Sequence, residues 1–487
     1  MPARLLIALL PLLLAACTDL GHLKKEALAG TPTPRLLTLR ETNALAHAWR
    51  KSGFASNIDG YSIEFQNSHP NLPSLTQLIR GNEIRTRLPH QSNSIGIPTL
   101  AGSGPPQWVS VRLTPHAHQL TLQPATFVAR QIAPDKLRIE LHDPRVSSTL
   151  GGRPLARADQ LLFDYVKREQ AESLLSLRGL LSPSDYANRR GFYLSTPYDR
   201  SKTPVVFIHG LASSPLAFRE IISHLQRDPA LWKRYQFWFY FYPTGEPWLN
   251  SAGAFRRDLT ELITAIDPDS NDSHLHDMVL VAHSMGGLIS RASVSLNSTA
   301  LYQSYFQRDL QNLRLTTPQK NRLAELLLYK PIPWPRRIIF LSTPHQGSRL
   351  AEGPLEWVAR QVIRTPGRLL EGTLLTTELL ASGEPGILTS DAFTLLRNGQ
   401  VSVSQLDPNN PAIKSLQKMP LRADVTTHSI IGDLGGPRHR LGTDGVVPYT
   451  SAHLPDAKSE LIIRSHHGTT NKHDTAVEVA RILRSAP

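Results

Sequence analysis

MVLVAHSMGGLISR, Met278 to Arg291, is the stretch that decides how the chain is read. Four apolar residues in a row have the pattern of a short strand buried on both faces, followed at once by Ala-His-Ser-Met-Gly-Gly and then a helical pattern. Ser284 falls on the turn between the two. A strand that turns abruptly into a helix holds its middle residue in a tight, strained conformation, which lifts a serine oxygen clear of the backbone and tolerates only small neighbours. Ala282 and Gly286 supply them. The helix that follows points backbone N–H groups at the same spot, which suits a reaction that builds negative charge on oxygen. The five-residue match alone equally describes a small-residue turn with an exposed serine. The flanking strand and helix, and partners elsewhere in the chain, favour the chemistry.

Working upstream, PVVFIHGLASSPLAF (Pro204 to Phe218) predicts a buried strand over Val205 to Ile208 and a His209-Gly210-Leu211 turn at its end. A helix from about Pro215 to Leu225 follows, proline being tolerated in a first turn. YQFWFYFYPTG, Tyr235 to Gly245, predicts another strand ending in turn residues, and Ser251 to Ile266 an amphipathic helix capped by its serine. Downstream, RRIIFLSTPHQGS (Arg336 to Ser348), VTTHSIIGD (Val425 to Asp433) and SELIIRS (Ser459 to Ser465) predict further strands, and Thr475 to Leu483 a closing helix. The expected fold class is therefore α/β, a mostly parallel sheet flanked by crossover helices. Ser284 would lie at the carboxyl end of a central strand, where open α/β sheets place their ligands. Two stretches interrupt the pattern, about 296–335 and about 349–424. They are expected either as helical cap insertions over the site or as packing helices.

A serine hydroxyl is a poor nucleophile near neutral pH. It needs a base in hydrogen-bond reach, and the base needs a third group to fix its tautomer. Asp444, in the TDGVVP loop after the Val425 to Asp433 strand, and His467, just past the last strand, follow Ser284 in the order that brings all three to one edge of a parallel sheet. Asp433 is the alternative acid, and His466 and His473 compete with His467 as base. The spacing of His466, His467, His473 and Asp474 fits no ordered metal site, so no metal is expected there, and a serine–histidine–aspartate mechanism requires no other cofactor. His209, Gly210, His283 and Gly286 flank the expected site as lining or support, and His345 is open between the two roles.

HGLASS, AHSMGG, STPHQGS, TDGVVP and RSHHGTT, spread over about residues 200–487, together resemble the α/β-hydrolases of the lipase and esterase type. More narrowly, YQFWFYFYPTGEP and VAHSMGGLISR resemble a group of bacterial lipoproteins with that fold. Ala282 departs from the commonest form of the turn, which has glycine there. The resemblance implies acyl transfer by Ser284, His467 and Asp444, with the oxyanion held by the backbone N–H groups of Leu211 and Met285 and water releasing the acyl group. The implied substrate is a carboxylic ester, lipid esters included. Acyl transfer to another acceptor, amide cleavage, and a non-catalytic binding role on the same fold are the alternatives.

The first residues, MPARLLIALLPLLLAACTDL, join one early arginine to an apolar run too short to span a bilayer comfortably, and reach Leu14-Ala15-Ala16-Cys17. That is the pattern of a secretion signal rather than of a membrane helix. The ending resembles the lipobox of bacterial lipoprotein precursors. The resemblance implies lipidation of Cys17 and anchoring in the bacterial cell envelope, with Thr18 pointing to the outer membrane. Cys17 is the only cysteine among 487 residues, so a lipidated chain would have no free thiol and no disulfide.

The formal charge of +13 comes from scattered lysines and arginines, with no dense basic tract interleaved with aromatics, so a nucleic-acid partner is not expected. Length and 40% hydrophobic content support more than one domain. The expected organisation is a signal peptide (1–16), a lipidated cysteine and tether (17–35), a smaller N-terminal β-containing accessory domain (36–195) and a catalytic domain (196–487). In the accessory domain Leu36 to Trp49 and residues 168–190 have helical patterns, and the segments 107–114, 125–130 and 136–141 alternate like strands. RGFYLSTPYDRSKTP is expected as a connector. No catalytic constellation stands out there, and the oligomeric state is left open.

Overall fold

A computed structural model describes residues 34–72, 75–80, 83, 93–102, 110–170, 189–348, 386–397, 406–435 and 442–485. The expected signal peptide, Cys17, nearly all of the tether, most of the helix expected over 168–190 and much of the 349–424 insertion lie outside those residues. The chain divides into two compact units. One comprises the residues through Val109 together with Thr121–Tyr165, the other Ser110–Leu120 together with Val166 onward. The border therefore differs from the one expected at 195/196: the chain passes into the second unit for a hairpin, returns, and leaves for good after Tyr165.

In the first unit seven strands among the described residues form one sheet, with Leu122–Ala133 paired on both sides by Ile97–Gly102 and Lys136–His142. A helix over Leu39–Lys51 begins at a capping box in which Thr38 and Glu41 satisfy each other's backbone N–H groups. Its apolar side, Leu45, Ala46 and Trp49, is buried in one core with Tyr61, Phe127, Leu137 and Ile139 from the sheet.

In the second unit the described strands are β1 (Ser110–Thr114), β2 (Ala117–Leu120), β3 (Gly191–Leu194), β4 (Thr203–Ile208), β5 (Tyr235–Phe241), β6 (Met278–His283), β7 (Pro335–Leu341), β8 (Thr426–Asp433) and β9 (Ser459–Arg464). They lie in the order β9-β8-β7-β6-β4-β5-β3-β2-β1. From β5 to β9 across that order every pair is parallel. Helices α1 (Arg219–Leu225), α2 (Trp248–Ile266), α3 (Met285–Val294) and α4 (His473–Arg484) flank the sheet.

Alternation along each strand sends side chains to opposite faces. Val206 and Ile208 of β4, Leu280 and Ala282 of β6, and Ile338 and Phe340 of β7 share one core with Phe255 and Leu259 of α2 and Leu288 and Ile289 of α3. Phe207 faces the other way, its ring 5.2 Å from Phe218, which precedes α1. Burial on both faces is why these strands read as unbroken apolar runs. The chain runs from β4 to β5 on one side, then crosses to β6 on the other side of β4. Such a reversal opens a crevice at the carboxyl ends of β4 and β6.

Three local expectations change. The segment expected as a connector holds β3, which runs antiparallel to β5 and parallel to β2. Gly191 has φ 144°, and a Cβ there would lie 2.2 Å from the His116 carbonyl oxygen, so only glycine lets β3 meet the β1–β2 hairpin. Helix α2 starts at Trp248 rather than at Ser251. It has no side-chain cap, and Ser251 is buried inside it, its N–H donating to the Pro247 carbonyl at 3.1 Å. A proline with fixed φ sets that start in place of a serine hydroxyl. Finally, in the 296–335 insertion the helices Ser298–Tyr305 and Thr317–Leu327 bury Leu301, Tyr302, Tyr305, Leu323 and Leu327 in the same core as α2 and α3. Those side chains pack into that core.

Candidate active site

Strand β6 ends at His283 and α3 begins at Met285, so a single residue makes the turn. Ser284 adopts φ 53° and ψ −123°, a region that L residues avoid at a cost of about 1–3 kcal/mol. Packing on both sides holds it there. The Ser284 N–H donates to the Leu341 carbonyl of β7 at 2.9 Å, and Gly286 presses against β4 so closely that a Cβ would lie 2.4 Å from the Ile208 carbonyl oxygen. Ala282, fully buried, pairs with Ile208 on one side and Phe340 on the other.

Asp444 lies in the turn after β8 and is almost wholly buried. Its Oδ1 accepts the N–H groups of Val446 (2.9 Å) and Val447 (2.7 Å), which leaves Oδ2 for a side chain. That oxygen is 2.7 Å from His467 Nδ1, and His467 Nε2 is 2.9 Å from Ser284 Oγ. An ionised carboxylate only accepts, so Nδ1 carries the proton and Nε2 is free to accept from the serine hydroxyl. Burial pushes the Asp444 carboxyl up, but the hydrogen bond and charge of His467 and the two amides outweigh it and hold its pKa below the usual value.

His283, immediately before the serine, supports this arrangement from behind. Its Nε2–H donates to the backbone carbonyl of His467 at 2.8 Å, and the two rings lie 4.9 Å apart. Burial, aided by the neighbouring His467, lowers its pKa to about 3, so the ring stays neutral. His209 is fully buried and spent on backbone: Nδ1–H donates to the Gly210 carbonyl at 3.0 Å and Nε2 accepts the Tyr242 N–H at 3.4 Å. Burial lowers its pKa to about 4. Beyond this turn, the N–H groups of Leu211 and Met285 make no hydrogen bond among the described residues.

The competing candidates lie elsewhere. His466 is exposed, and His473, also exposed, meets the ring of His224 at 5.4 Å. Asp433 is buried, with Oδ1 accepting the Gly435 N–H at 2.7 Å. His345 is buried against Phe340, and its Nδ1 takes a hydrogen bond from the Arg291 guanidinium at 3.2 Å. The bond from His283 to the His467 carbonyl was out of reach of sequence reasoning. A histidine beside a serine is visible in the chain, but the direction of its ring is not.

A model of the PGAP1-like alpha/beta domain family matches residues 199–314. No curated protein matches the chain. Solved structures similar to it include the mature form of the lipase BlEst2 of Bacillus licheniformis, at 18% identity over 60% of this chain and 97% of that one, with a TM-score of 0.35. The lipase-esterase related protein of Clostridium acetobutylicum is similar at 13% identity over 61% and 98%, with a TM-score of 0.28. The bromoperoxidase of Bacillus anthracis is similar at 18% identity over 58% and 92%, with a TM-score of 0.29. The parallel sheet reverses its strand order at β4 and carries a strained serine where β6 leaves it, which is the architecture of the α/β-hydrolase fold, and the segment that spans this crossing is similar to the PGAP1-like alpha/beta domain.

Proposed function

We propose that the protein is a serine hydrolase of carboxylic esters, held in the cell envelope by lipid on Cys17. The observation that carries the enzymatic part is the relay from Asp444 Oδ2 through His467 to the oxygen of a serine on a strained turn, at 2.7 and 2.9 Å. His467 Nε2 takes the hydroxyl proton as Ser284 Oγ attacks the ester carbonyl. Asp444 keeps the ring in the competent tautomer and stabilises its charged form. Negative charge then collects on the former carbonyl oxygen, where the unoccupied N–H groups of Leu211 and Met285 are the donors at hand. His467 returns its proton to the leaving alcohol, which departs and leaves an acyl-serine. A water molecule, deprotonated by the same nitrogen, releases the acid. The anchoring part rests on the Leu14-Ala15-Ala16-Cys17 run, which supports export and lipid attachment, and on Thr18, which favours the outer membrane.

Labelling of the protein from residue 18 onward with a fluorophosphonate serine probe tests the enzymatic reading. Wild type is expected to label, and Ser284→Ala and His467→Ala are not. A well-folded wild type that stays unlabelled with and without added detergent or lipid overturns it. For the anchor, Cys17→Ser in the full-length chain is expected to move the protein from the membrane to the soluble fraction. Unchanged fractionation rejects lipid attachment at that residue.

A further inference from the structure

The loop that carries Leu211 is gripped from one side by the segment that leaves β5, Tyr242-Pro243-Thr244-Gly245, whose residues have so far had no part in the chemistry. We infer that Tyr242 and Thr244 are positioning residues that set the direction of the Leu211 N–H toward the developing oxyanion. The inference rests on the reading of the site proposed above.

The sheet order brings the two segments together. β5 lies beside β4 in parallel register, with Tyr240 opposite Ile208, so the residues just past each strand emerge as neighbours. The Tyr242 hydroxyl donates to the His209 carbonyl at 2.7 Å, and its ring stacks on the His209 imidazole at 4.4 Å and 12°. Two residues further on, Thr244 Oγ1 accepts the N–H of Ala212 at 3.2 Å. These contacts fall immediately before and immediately after Gly210-Leu211. They bracket the Leu211 amide, one of the two the mechanism needs, and leave its N–H unoccupied.

Ala212 supplies the independent sign of constraint. Its φ is 51°, a left-handed conformation that crowds an alanine Cβ against the backbone and persists only where surrounding contacts impose it. Thr244, nearly inaccessible to solvent, provides that contact. Burial also keeps the Tyr242 phenol protonated, so it remains a donor. An oxyanion donor is most effective when it already points to where charge will form, since no reorganisation is then needed during the reaction. The oxyanion exists only after attack, so loss of aim falls on kcat rather than on KM.

Thr244→Val removes the hydroxyl at almost constant volume, and Thr244→Ser keeps it. For hydrolysis of a short-chain p-nitrophenyl ester, Thr244→Val is expected to lower kcat by about ten- to a hundredfold, the scale of a small misplacement of a catalytic group. KM and the pH dependence of kcat stay as in wild type, and Thr244→Ser recovers most of the rate. Amide hydrogen exchange over the peptide containing residues 209–213 reports the clamp without turnover: faster at Ala212 in Thr244→Val, as in wild type in Thr244→Ser. An undiminished kcat in Thr244→Val, an equal loss in both variants, or unchanged exchange overturns the inference. A wild type that neither hydrolyses esters nor labels defeats the functional reading instead, and the exchange measurement still decides whether Thr244 holds the loop.

Discussion

Each unit of this protein holds a histidine beside a buried aspartate, and the two pairs are used differently. In the first unit His69 Nε2 lies 3.5 Å from Asp143 and 3.0 Å from the Pro124 carbonyl, while its Nδ1 accepts the Asn71 N–H at 3.2 Å. Asp143 is occupied by Arg145, with both carboxylate oxygens at 2.8 Å from guanidinium nitrogens. In the second unit no lysine or arginine among the described residues pairs with Asp444, which gives one oxygen to backbone and the other to His467. His467 in turn has one nitrogen left for a hydroxyl on a strained turn. A His–Asp contact is therefore not by itself a site. Hydrogen-bonding capacity left unspent and aimed at one oxygen is what distinguishes the second pair.

The sharpest way to break that contrast is Asp444→Asn. The Asn Oδ1 can keep the bonds to Val446 and Val447, which turns the amide NH2 toward His467 Nδ1. Nδ1 must then accept, Nε2 carries the proton, and the base faces Ser284 in the wrong tautomer. Loss of kcat by about 10⁴-fold is expected in ester hydrolysis, with an unchanged thermal melt. A loss below about tenfold in folded protein would overturn the proposed role of Asp444 and favour Asp433 as the acid.

The corresponding change in the other pair, Asp143→Asn, should act on stability alone. It strands the Arg145 guanidinium, which is 3% exposed, without its carboxylate. Removing one partner of a buried ion pair costs about 3–5 kcal/mol, read in a denaturant titration of the variant against wild type. Ester turnover per folded molecule is expected to stay at the wild-type value. An unshifted denaturation curve would mean that Arg145 finds water, and a fall in turnover would mean that the first pair has a part in catalysis.

The same contrast shows what the chain reveals before folding. β4 through β8 were legible because a strand buried on both faces tends to an apolar run, and β9 by the short run Leu461-Ile462-Ile463, although it is only partly buried at one edge of the sheet. The convergence of Ser284, Asp444 and His467 was legible because each is a chemistry-bearing residue in the turn or loop that follows a strand. The opposite edge of the sheet was not legible. β3 is four residues whose pairing with the Ser110–Leu120 hairpin depends on a distant carbonyl, that of His116, meeting a glycine. Polar direction was not legible either. His209, His283 and His345 all lie close in sequence to strand ends, yet one is spent on its own turn, one on the His467 carbonyl and one on Arg291. Ring orientation comes from packing across strands, which no local pattern encodes.

The smallest of the expected effects is in the acid range, where the pairs differ again. Burial lowers the pKa of His69 to about 4, with Asp143 opposing that shift, so the folded first unit holds this ring neutral at pH values where an unfolded chain would protonate it. Above the ordinary histidine value, about 6.5, the ring is neutral in both states and its contribution is fully present. As pH falls from there toward 4 the unfolded chain takes up a proton that the folded chain does not, so stability is lost at about 1.4 kcal/mol per pH unit for the ring. Asp444 acts in a lower window. Its depressed carboxyl contributes stability above the ordinary aspartate value, about 3.9, and loses it as pH falls through the folded value. His69→Gln is therefore expected to remove about one proton from the pH dependence of unfolding between pH 6.5 and 4, measured by denaturant titrations at several pH values, with no change in ester hydrolysis. An unaltered slope would mean that His69 already carries its proton in the folded chain, which would make the first pair an ion pair in its own right and remove the contrast with the second.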